Sequence, residues 1–223
     1  MEAHTAARAD GRRAELSSGS AAMEAVRFVP SPLADPGPLG LAAFALTTFV
    51  LSMFNSGLIG PGGEPVVFGL ALAYGGIAQV LAGMWEFRTG NTFGALAFTS
   101  YGAFWLSFWA YVQFFAVNVP AKDAGHAVGL YLIAWGVFTT YMFVASLRTT
   151  AAIALVFVLL ASTFLLLGIG DASAHTNVVK IGGWVGILTA VAAWYASFAG
   201  VTNSTFGRTV LPVRPLMRKE PSW

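Results

Sequence analysis

Six long apolar stretches, separated by short polar breaks, dominate the pattern of residues along this chain. They cover approximately residues 39–60, 66–86, 93–118, 126–147, 150–170 and 178–201. Each holds about the 20 mostly apolar residues that a helix needs to cross the hydrocarbon core of a membrane. The breaks are short and contain turn signals such as Gly60-Pro61-Gly62-Gly63. The pattern therefore predicts an all-α membrane protein with six transmembrane helices and no soluble domain between them.

Lysine and arginine residues are concentrated at one set of helix ends. Cytoplasmic loops of membrane proteins carry an excess of these residues, and with both termini in the cytoplasm only Lys122 and Lys180 of the 12 basic residues fall outside. An odd number of helices would remove this asymmetry. We therefore predict a disordered cytoplasmic N-terminal tail over residues 1–34, a six-helix transmembrane domain over 35–207 and a cytoplasmic C-terminal tail over 208–223.

The composition excludes several other classes of protein. Hydrophobic residues make up 57% of the chain and charged residues 10%, whereas an ordinary soluble domain has about 25% charged residues. The formal net charge is +2, but the basic residues lie in short connections and at the ends, which argues against nucleic-acid binding. The chain has no cysteine and so no disulfide or thiolate metal site. The first 30 or so residues lack the apolar core of a cleaved signal peptide.

Histidine and acidic residues do not form a catalytic or metal-binding pattern. His4, His126 and His175 lie near ends or in loops. His175 and Asp171 would supply two ligands on one loop, fewer than a structural zinc site needs. We therefore predict no enzyme activity, no metal and no cofactor.

Polar side chains within the apolar stretches are candidates for function. Gln79 lies deep in the second stretch and Asn55 near the end of the first. A buried amide needs a partner, which is either a neighbouring helix or a solute in a path through the protein. Glu86 ends the second stretch, two residues before Arg88. It is either an interfacial carboxylate beside a basic side chain or a group that handles protons.

Two segments have the composition of helix entrances. The prolines of Asp35-Pro36-Gly37-Pro38-Leu39-Gly40-Leu41 prevent an earlier start of the first helix. In Gly90-Asn91-Thr92-Phe93-Gly94, Asn91 or Thr92 can cap the third helix. Because helix N-termini carry unpaired N–H groups and partial positive charge, either entrance could bind a carboxylate. Plain capping is an equally good interpretation.

Tyr101 is a tyrosine in the middle of the third stretch. Its hydroxyl needs a partner, and its ring, flanked by Ser100 and Gly102, could form part of a narrow hydrophobic gate. The other aromatic residues between 101 and 111 are interpreted as lipid contact and packing.

Several ordered blocks of the sequence resemble the acetate uptake transporters, the succinate/acetate permease family. The segment from Asp35 to Leu41 is similar to the Asn-Pro-Ala-Pro-Leu-Gly-Leu signature of that family. The other similar blocks are Tyr74 to Gln79, Gly83 to Glu86, Gly90 to Gly94, Phe98 to Trp105 and Phe206 to Pro212. The resemblance covers about residues 34–212, nearly everything except the tails.

The resemblance implies a six-helix subunit that assembles as a homohexamer in the inner (plasma) membrane, among membrane lipids, with a separate solute path in each subunit. It also implies transport of acetate and other small monocarboxylates, either by carriers coupled to protons or by channel-like conduits, with succinate accepted by some members. In the family, three side chains narrow the path, and they match Phe44, Tyr101 and Leu160 here. Asp35 departs from the asparagine of the signature, and its charge would repel a carboxylate by about 1 kcal/mol at about 4 Å in water.

These considerations assign a role to each candidate residue. The gate residues are Phe44, Tyr101 and Leu160, and the candidate solute-binding residues are Asp35, Asn55, Gln79, Asn91 and Thr92. Glu86 and Asp35 are candidate proton sites, and Asp35 is alternatively a plain helix cap. Two rival functions stay open, an uncoupled channel for small anions and a non-transporting membrane scaffold or sensor, although the short loops disfavour the scaffold.

Overall fold

The structure is a computed structural model that describes residues 33–216. The predicted N-terminal tail up to residue 32 and the predicted C-terminal tail from residue 217 lie outside the described residues. The described part is helical and contains no β-strand beyond one bridge between Thr150 and Pro215. Its long helices are α1 (Gly37–Asn55), α2 (Val66–Thr89), α3 (Thr92–Ala110), α4 (Ala121–Ser146), α5 (Ala151–Ala172) and α6 (Thr176–Phe206).

The ends of these helices follow local backbone chemistry. α1 stops at Asn55 rather than near residue 60, because Gly57 adopts a left-handed φ of 78° that ends a right-handed helix. Short 3-10 turns lie at Pro61–Gly63 and Ala116–Asn118. α4 begins at Ala121, directly after Pro120, because proline is well accommodated just before a helix. The apolar pattern therefore predicted the positions of these helices more accurately than the residues at which they begin and end.

Two helices change pitch along their length. α2 contains a π-helical turn at Ala73–Ala78, and a second π-helical turn, Tyr111–Phe115, continues α3. The stretch 93–118 is thus helical to Asn118, but its α-helical part ends at Ala110. The π turn of α2 packs closely on α1, since a Cβ atom at Gly75 would lie 2.6 Å from Oγ1 of Thr47. Only glycine fits at this contact.

Five of these helices are long and apolar enough to cross a membrane, within residues 33–216. They are α1, α2, α4, α5 and α6. α3 does not belong to this set because its threonine, serine, tyrosine and tryptophan residues lower its hydropathy. The chain is a multi-pass membrane protein, and the count of six membrane spans stays a prediction.

The helices pack closely through small residues. α1 lies against α6, and the Ser197 hydroxyl of α6 donates a 2.6 Å hydrogen bond to the Pro38 carbonyl at the start of α1. α5 packs between α4 and α6. At the crossing of α4 and α5, a Cβ atom at Gly129 would lie 2.7 Å from the carbonyl oxygen of Gly168. Such contacts let helix backbones approach where lipid provides no hydrophobic drive for association.

The outer faces of the helices are apolar. On α4, Leu130, Val137 and Val144 recur at a spacing of seven residues and are 69%, 62% and 63% exposed. A soluble protein would rarely present such a row to water. This face is suited to lipid or to another subunit.

Candidate functional site

A cavity of about 320 Å³, here called the vestibule, lies at the end of the bundle where α1, α3 and α5 begin and α2 ends. Because three helices start at its wall, their partial positive N-terminal charges are directed toward the same space. These helix starts offer N–H groups to a negative group, whereas the end of α2 and the carboxylates of Asp35 and Glu86 contribute negative charge to the same space. Its polar lining side chains are Asp35, Glu86, Asn91, Thr149 and Thr150.

Asp35 lies at the start of α1. Its Oδ1 atom accepts a 2.8 Å hydrogen bond from the backbone N–H of Gly37. Asp35 therefore bonds the first N–H group of α1, although the N-cap position itself is Pro36. It also places a carboxylate oxygen on a helix N-terminus at the vestibule wall, the kind of contact that a solute carboxylate would make there.

Glu86 is buried near the end of α2, with 2% of its surface exposed. Its carboxylate accepts a 3.1 Å hydrogen bond from the Thr89 hydroxyl and is also hydrogen-bonded by the Asn91 side chain. These bonds compensate for part of the hydration that the carboxylate loses on burial. Glu86 is therefore an enclosed group of the vestibule rather than a freely hydrated interfacial carboxylate.

The two candidates at the start of α3 have different positions. Asn91 caps the helix, because its Oδ1 atom accepts a 3.1 Å hydrogen bond from the Gly94 N–H, and it also lines the vestibule. Thr92 is the exposed first residue of α3 and is not among the residues that line the vestibule. Of the two, Asn91 is in a position to contact a solute there.

A narrow cavity of about 20 Å³, here called the constriction, lies beside the vestibule toward the middle of the bundle. Phe44, Tyr101 and Leu160 meet in its wall, each at most 5% exposed, and the ring centroids of Phe44 and Tyr101 are 5.8 Å apart. A cavity of this volume holds about one water molecule. The complete lining is Leu41, Phe44, Gln79, Ala97, Phe98, Tyr101, Val156, Phe157 and Leu160.

Tyr101 contributes its aromatic ring to the constriction, and its hydroxyl group is hydrogen-bonded to another helix. The hydroxyl donates a 3.0 Å hydrogen bond to Oγ1 of Thr139 on α4, and the Thr139 hydroxyl donates in turn to the Trp135 carbonyl at 2.7 Å. The ring packs edge-on against Phe138, with centroids 5.4 Å apart. This chain of bonds holds the Tyr101 side chain in one orientation in the constriction.

Gln79 is the polar side chain of the constriction whose atoms have no partner. Its side chain is fully buried, and neither its Oε1 nor its Nε2 atom makes a hydrogen bond within the protein. It follows directly after the π-helical turn Ala73–Ala78 of α2. Because buried amides are normally hydrogen-bonded, Gln79 has both a donor and an acceptor available to a group that enters the constriction.

A third cavity, of about 40 Å³, lies on the other side of the constriction and is here called the inner chamber. Asn55 lines it, as do Thr48 and Trp105. The Thr48 hydroxyl and the Trp105 indole N–H are buried and make no hydrogen bond within the protein. From the sequence, Thr48 is a polar candidate whose default partner is its own helix backbone, the bond that Thr47 makes here, and Trp105 is interpreted as lipid contact and packing.

The three cavities are adjacent and share wall residues. Leu41 and Phe98 line both the vestibule and the constriction. Phe44 and Leu160 line both the constriction and the inner chamber. The cavities therefore form one line through the chain, polar at the vestibule and narrowest at Phe44, Tyr101 and Leu160.

A larger cavity, about 680 Å³, is separate from this line. It is an open apolar groove between α5, α6 and the segment after α6, and it shares no lining residue with the vestibule, the constriction or the inner chamber. Its polar members are Tyr195 and Arg214. The chemistry of a solute site is concentrated instead in the smaller cavities between the helices.

The fold defines a helical membrane protein with a series of adjoining cavities between its own helices. Residues 18–218 match the model of the GPR1/FUN34/yaaH family. The chain belongs to this family.

Comparison of the sequence with named relatives, and of the fold with one solved structure, extends this result. The chain is 39% identical over 181 residues to the succinate-acetate/proton symporter SatP of Escherichia coli, covering 81% of this chain and 95% of that protein. It is 44% identical over 184 residues to the ammonia transport outward protein 2 of Saccharomyces cerevisiae, covering 79% of this chain. The chain spans 65% of the length of that yeast protein and of two further fungal relatives. These names describe transport proteins or leave the activity open.

A solved structure has the same fold. The structure of the bacterial acetate channel SatP matches with a TM-score of 0.76 at 39% sequence identity, covering 81% of this chain and 99% of that one. The relatives thus carry two descriptions, symporter and channel, for proteins of similar sequence.

Proposed function

We propose that this protein transports acetate and related small monocarboxylates, including succinate, across the plasma membrane by proton-coupled uptake. The observation that carries the proposal is the line of cavities in which a polar vestibule, with three helix N-termini at its wall, leads to a small apolar constriction. Acetate combines a negative head with a methyl tail, so helix N-termini suit one end and a narrow apolar passage suits the other. The names of the bacterial relatives support the same solute.

The proposal assigns a role to each side chain of the path. Phe44, Tyr101 and Leu160 form the gate that admits only small solutes. Gln79 and Asn55 provide polar contacts on the two sides of this gate. In the vestibule, the start of α3 around Asn91 and Thr92 attracts the carboxylate, and Glu86 and Asp35 are the candidate groups for proton handling.

The proposed subunit has six spans, both termini in the cytoplasm and a place in a homohexamer. Arg88 and Arg148 lie at the helix ends around the vestibule, whereas Lys122 lies in the first turn of α4 and Lys180 near the start of α6, at the other end. The positive-inside rule supports a cytoplasmic position of the vestibule.

Acetate flux into proteoliposomes tests the proposal. We expect an inward proton gradient to stimulate flux, because the acetate anion and one proton cross together without net charge. Tyr101→Ala should enlarge the constriction and increase the flux of larger monocarboxylates relative to acetate. Tyr141→Ala is the matched control, because Tyr141 is 53% exposed on the outside of α4. Flux that follows an imposed voltage and ignores the proton gradient would establish the uncoupled channel.

Ammonium is a second candidate solute, because two carboxylates line the vestibule and a yeast relative is named for ammonia transport. The same proteoliposomes distinguish the two solutes when labelled methylammonium replaces acetate. Flux of methylammonium without flux of acetate would replace the proposal with this candidate. Flux of neither solute above empty liposomes would favour the scaffold or sensor.

A further inference from the structure

The constriction is poorly suited to a bare anion. None of the described residues in its lining carries an ionised side chain, and seven of the nine are apolar. The hydroxyl of Tyr101 is engaged with Thr139. A carboxylate that entered would lose its hydration without meeting an opposite charge, a combination that proteins normally avoid by neutralising the group.

The free amide of Gln79 has the hydrogen-bonding pattern of a neutral partner. It offers an acceptor, Oε1, next to a donor, the Nε2 amino group, and both are unbonded in the constriction. An undissociated carboxylic acid has one acceptor oxygen and one O–H donor on a single edge, so the two groups can form two hydrogen bonds at once. A carboxylate has acceptors only and would leave Oε1 facing another oxygen.

We propose that the constriction takes its solute in uncharged form, by paired hydrogen bonds with the Gln79 amide, and that small primary amides such as acetamide are a further class of solute. This inference rests on the proposed transport of acetate and specifies the form that crosses the constriction. Acetamide has the methyl group of acetic acid and the same adjacent donor and acceptor. Either orientation of the Gln79 amide can pair with it.

Fluxes measured at equal pH on both sides of the membrane test the inference. Proteoliposomes that contain the full chain receive labelled acetate or labelled acetamide between about pH 6 and about pH 7.5. The fraction of undissociated acetic acid falls about tenfold for each pH unit in this range, whereas the acetate anion concentration hardly changes. We expect protein-dependent acetate flux to fall in the same proportion. Acetamide flux should stay level, which also shows that the protein itself is unaffected by pH.

Gln79→Leu removes both hydrogen-bonding atoms and leaves an apolar side chain of comparable volume. It should lower acetamide flux at least about tenfold, the factor that corresponds to the loss of about one hydrogen bond. Thr99→Val is the matched control. The Thr99 hydroxyl is also buried without a partner, but Thr99 does not line the vestibule, the constriction or the inner chamber. Its substitution should leave both fluxes unchanged.

Three results would overturn the inference. They are acetamide flux no greater than that of empty liposomes, acetate flux that stays constant across the pH range, and unchanged fluxes in a Gln79→Leu protein that elutes as the same species as wild type. Acetate flux at the lower pH separately tests the proposed function. A failure of acetate transport and a failure of the neutral-solute inference are therefore distinguishable.

Discussion

At the scale of single residues, Gln79 combines complete burial with two unbonded polar atoms. Such a group lowers stability, because its lost hydration is not replaced. We predict that Gln79→Leu stabilises the purified protein by about 1–3 kcal/mol, an effect visible as a higher unfolding temperature in detergent. Thr47→Val is the control, since the Thr47 hydroxyl bonds the Ala43 carbonyl of its own helix and its loss should change stability little. A Gln79→Leu protein that unfolds at a lower temperature would contradict this account.

For the hydroxyl group of Tyr101 we predict the opposite effect on stability, because this group is hydrogen-bonded. Thr139→Val removes the acceptor of its 3.0 Å hydrogen bond and leaves a buried donor unpaired. We expect a loss of about 1–3 kcal/mol in the free energy of unfolding. In a Tyr101→Phe background the same substitution should cost much less, because no hydroxyl is left unpaired. Equal costs in the two backgrounds, measured as a double-mutant cycle, would exclude this bond as a source of stability.

These two residues show what the sequence can and cannot predict about the site. An amide deep in an apolar stretch has no aqueous escape, so the need of Gln79 for a partner could be read from the chain alone. The partner of Tyr101 could not, because Thr139 is 38 residues away on another helix. Leu160 lies in an apolar stretch without a distinctive motif, and only the fold brings it next to Phe44 and Tyr101.

At the scale of elements, the starts of α1, α3 and α5 meet at the vestibule, and Asp35 occupies the first of them. Asp35→Asn keeps an Oδ1 acceptor for the Gly37 N–H and removes the charge. With about 1 kcal/mol less repulsion, we predict that the apparent KM for acetate falls about fivefold while the fold is kept. Asp123→Asn is the matched control in the first turn of α4 at the opposite end. Complete loss of transport in Asp35→Asn would instead make the ionisable group essential.

The contacts of the segment after α6 could not be predicted from the pattern of apolar residues. Residues 208–216 belong to the predicted C-terminal tail, yet the carbonyls of Val213 and Arg214 accept hydrogen bonds from the first two N–H groups of α5, at 3.3 and 2.9 Å. Asn203 holds the same segment through the N–H groups of Val210 and Leu211. Apolar stretches predict helices because a backbone that crosses lipid must form its hydrogen bonds internally. They do not indicate which carbonyl groups accept hydrogen bonds from the unpaired N–H groups at the start of a helix.

At the scale of the whole molecule, the vestibule, the constriction and the inner chamber are all lined by one chain. If the proposed homohexamer forms, its subunits should therefore transport independently, and assembly should serve stability in the membrane rather than complete the site. A central path shared between subunits would behave differently.

Mixed assemblies distinguish these two arrangements. Leu160→Trp should fill the constriction and stop transport in its own subunit, whereas Leu130→Trp, on the 69% exposed outer face of α4, carries the same substitution outside the path. When wild-type and Leu160→Trp subunits are co-expressed and reconstituted together, we predict acetate flux in direct proportion to the wild-type fraction. Mixtures with Leu130→Trp should keep full flux. If acetate flux falls more steeply than the wild-type fraction in mixtures with Leu160→Trp, one blocked subunit stops transport in its neighbours. That result would contradict independent subunits and support a shared path.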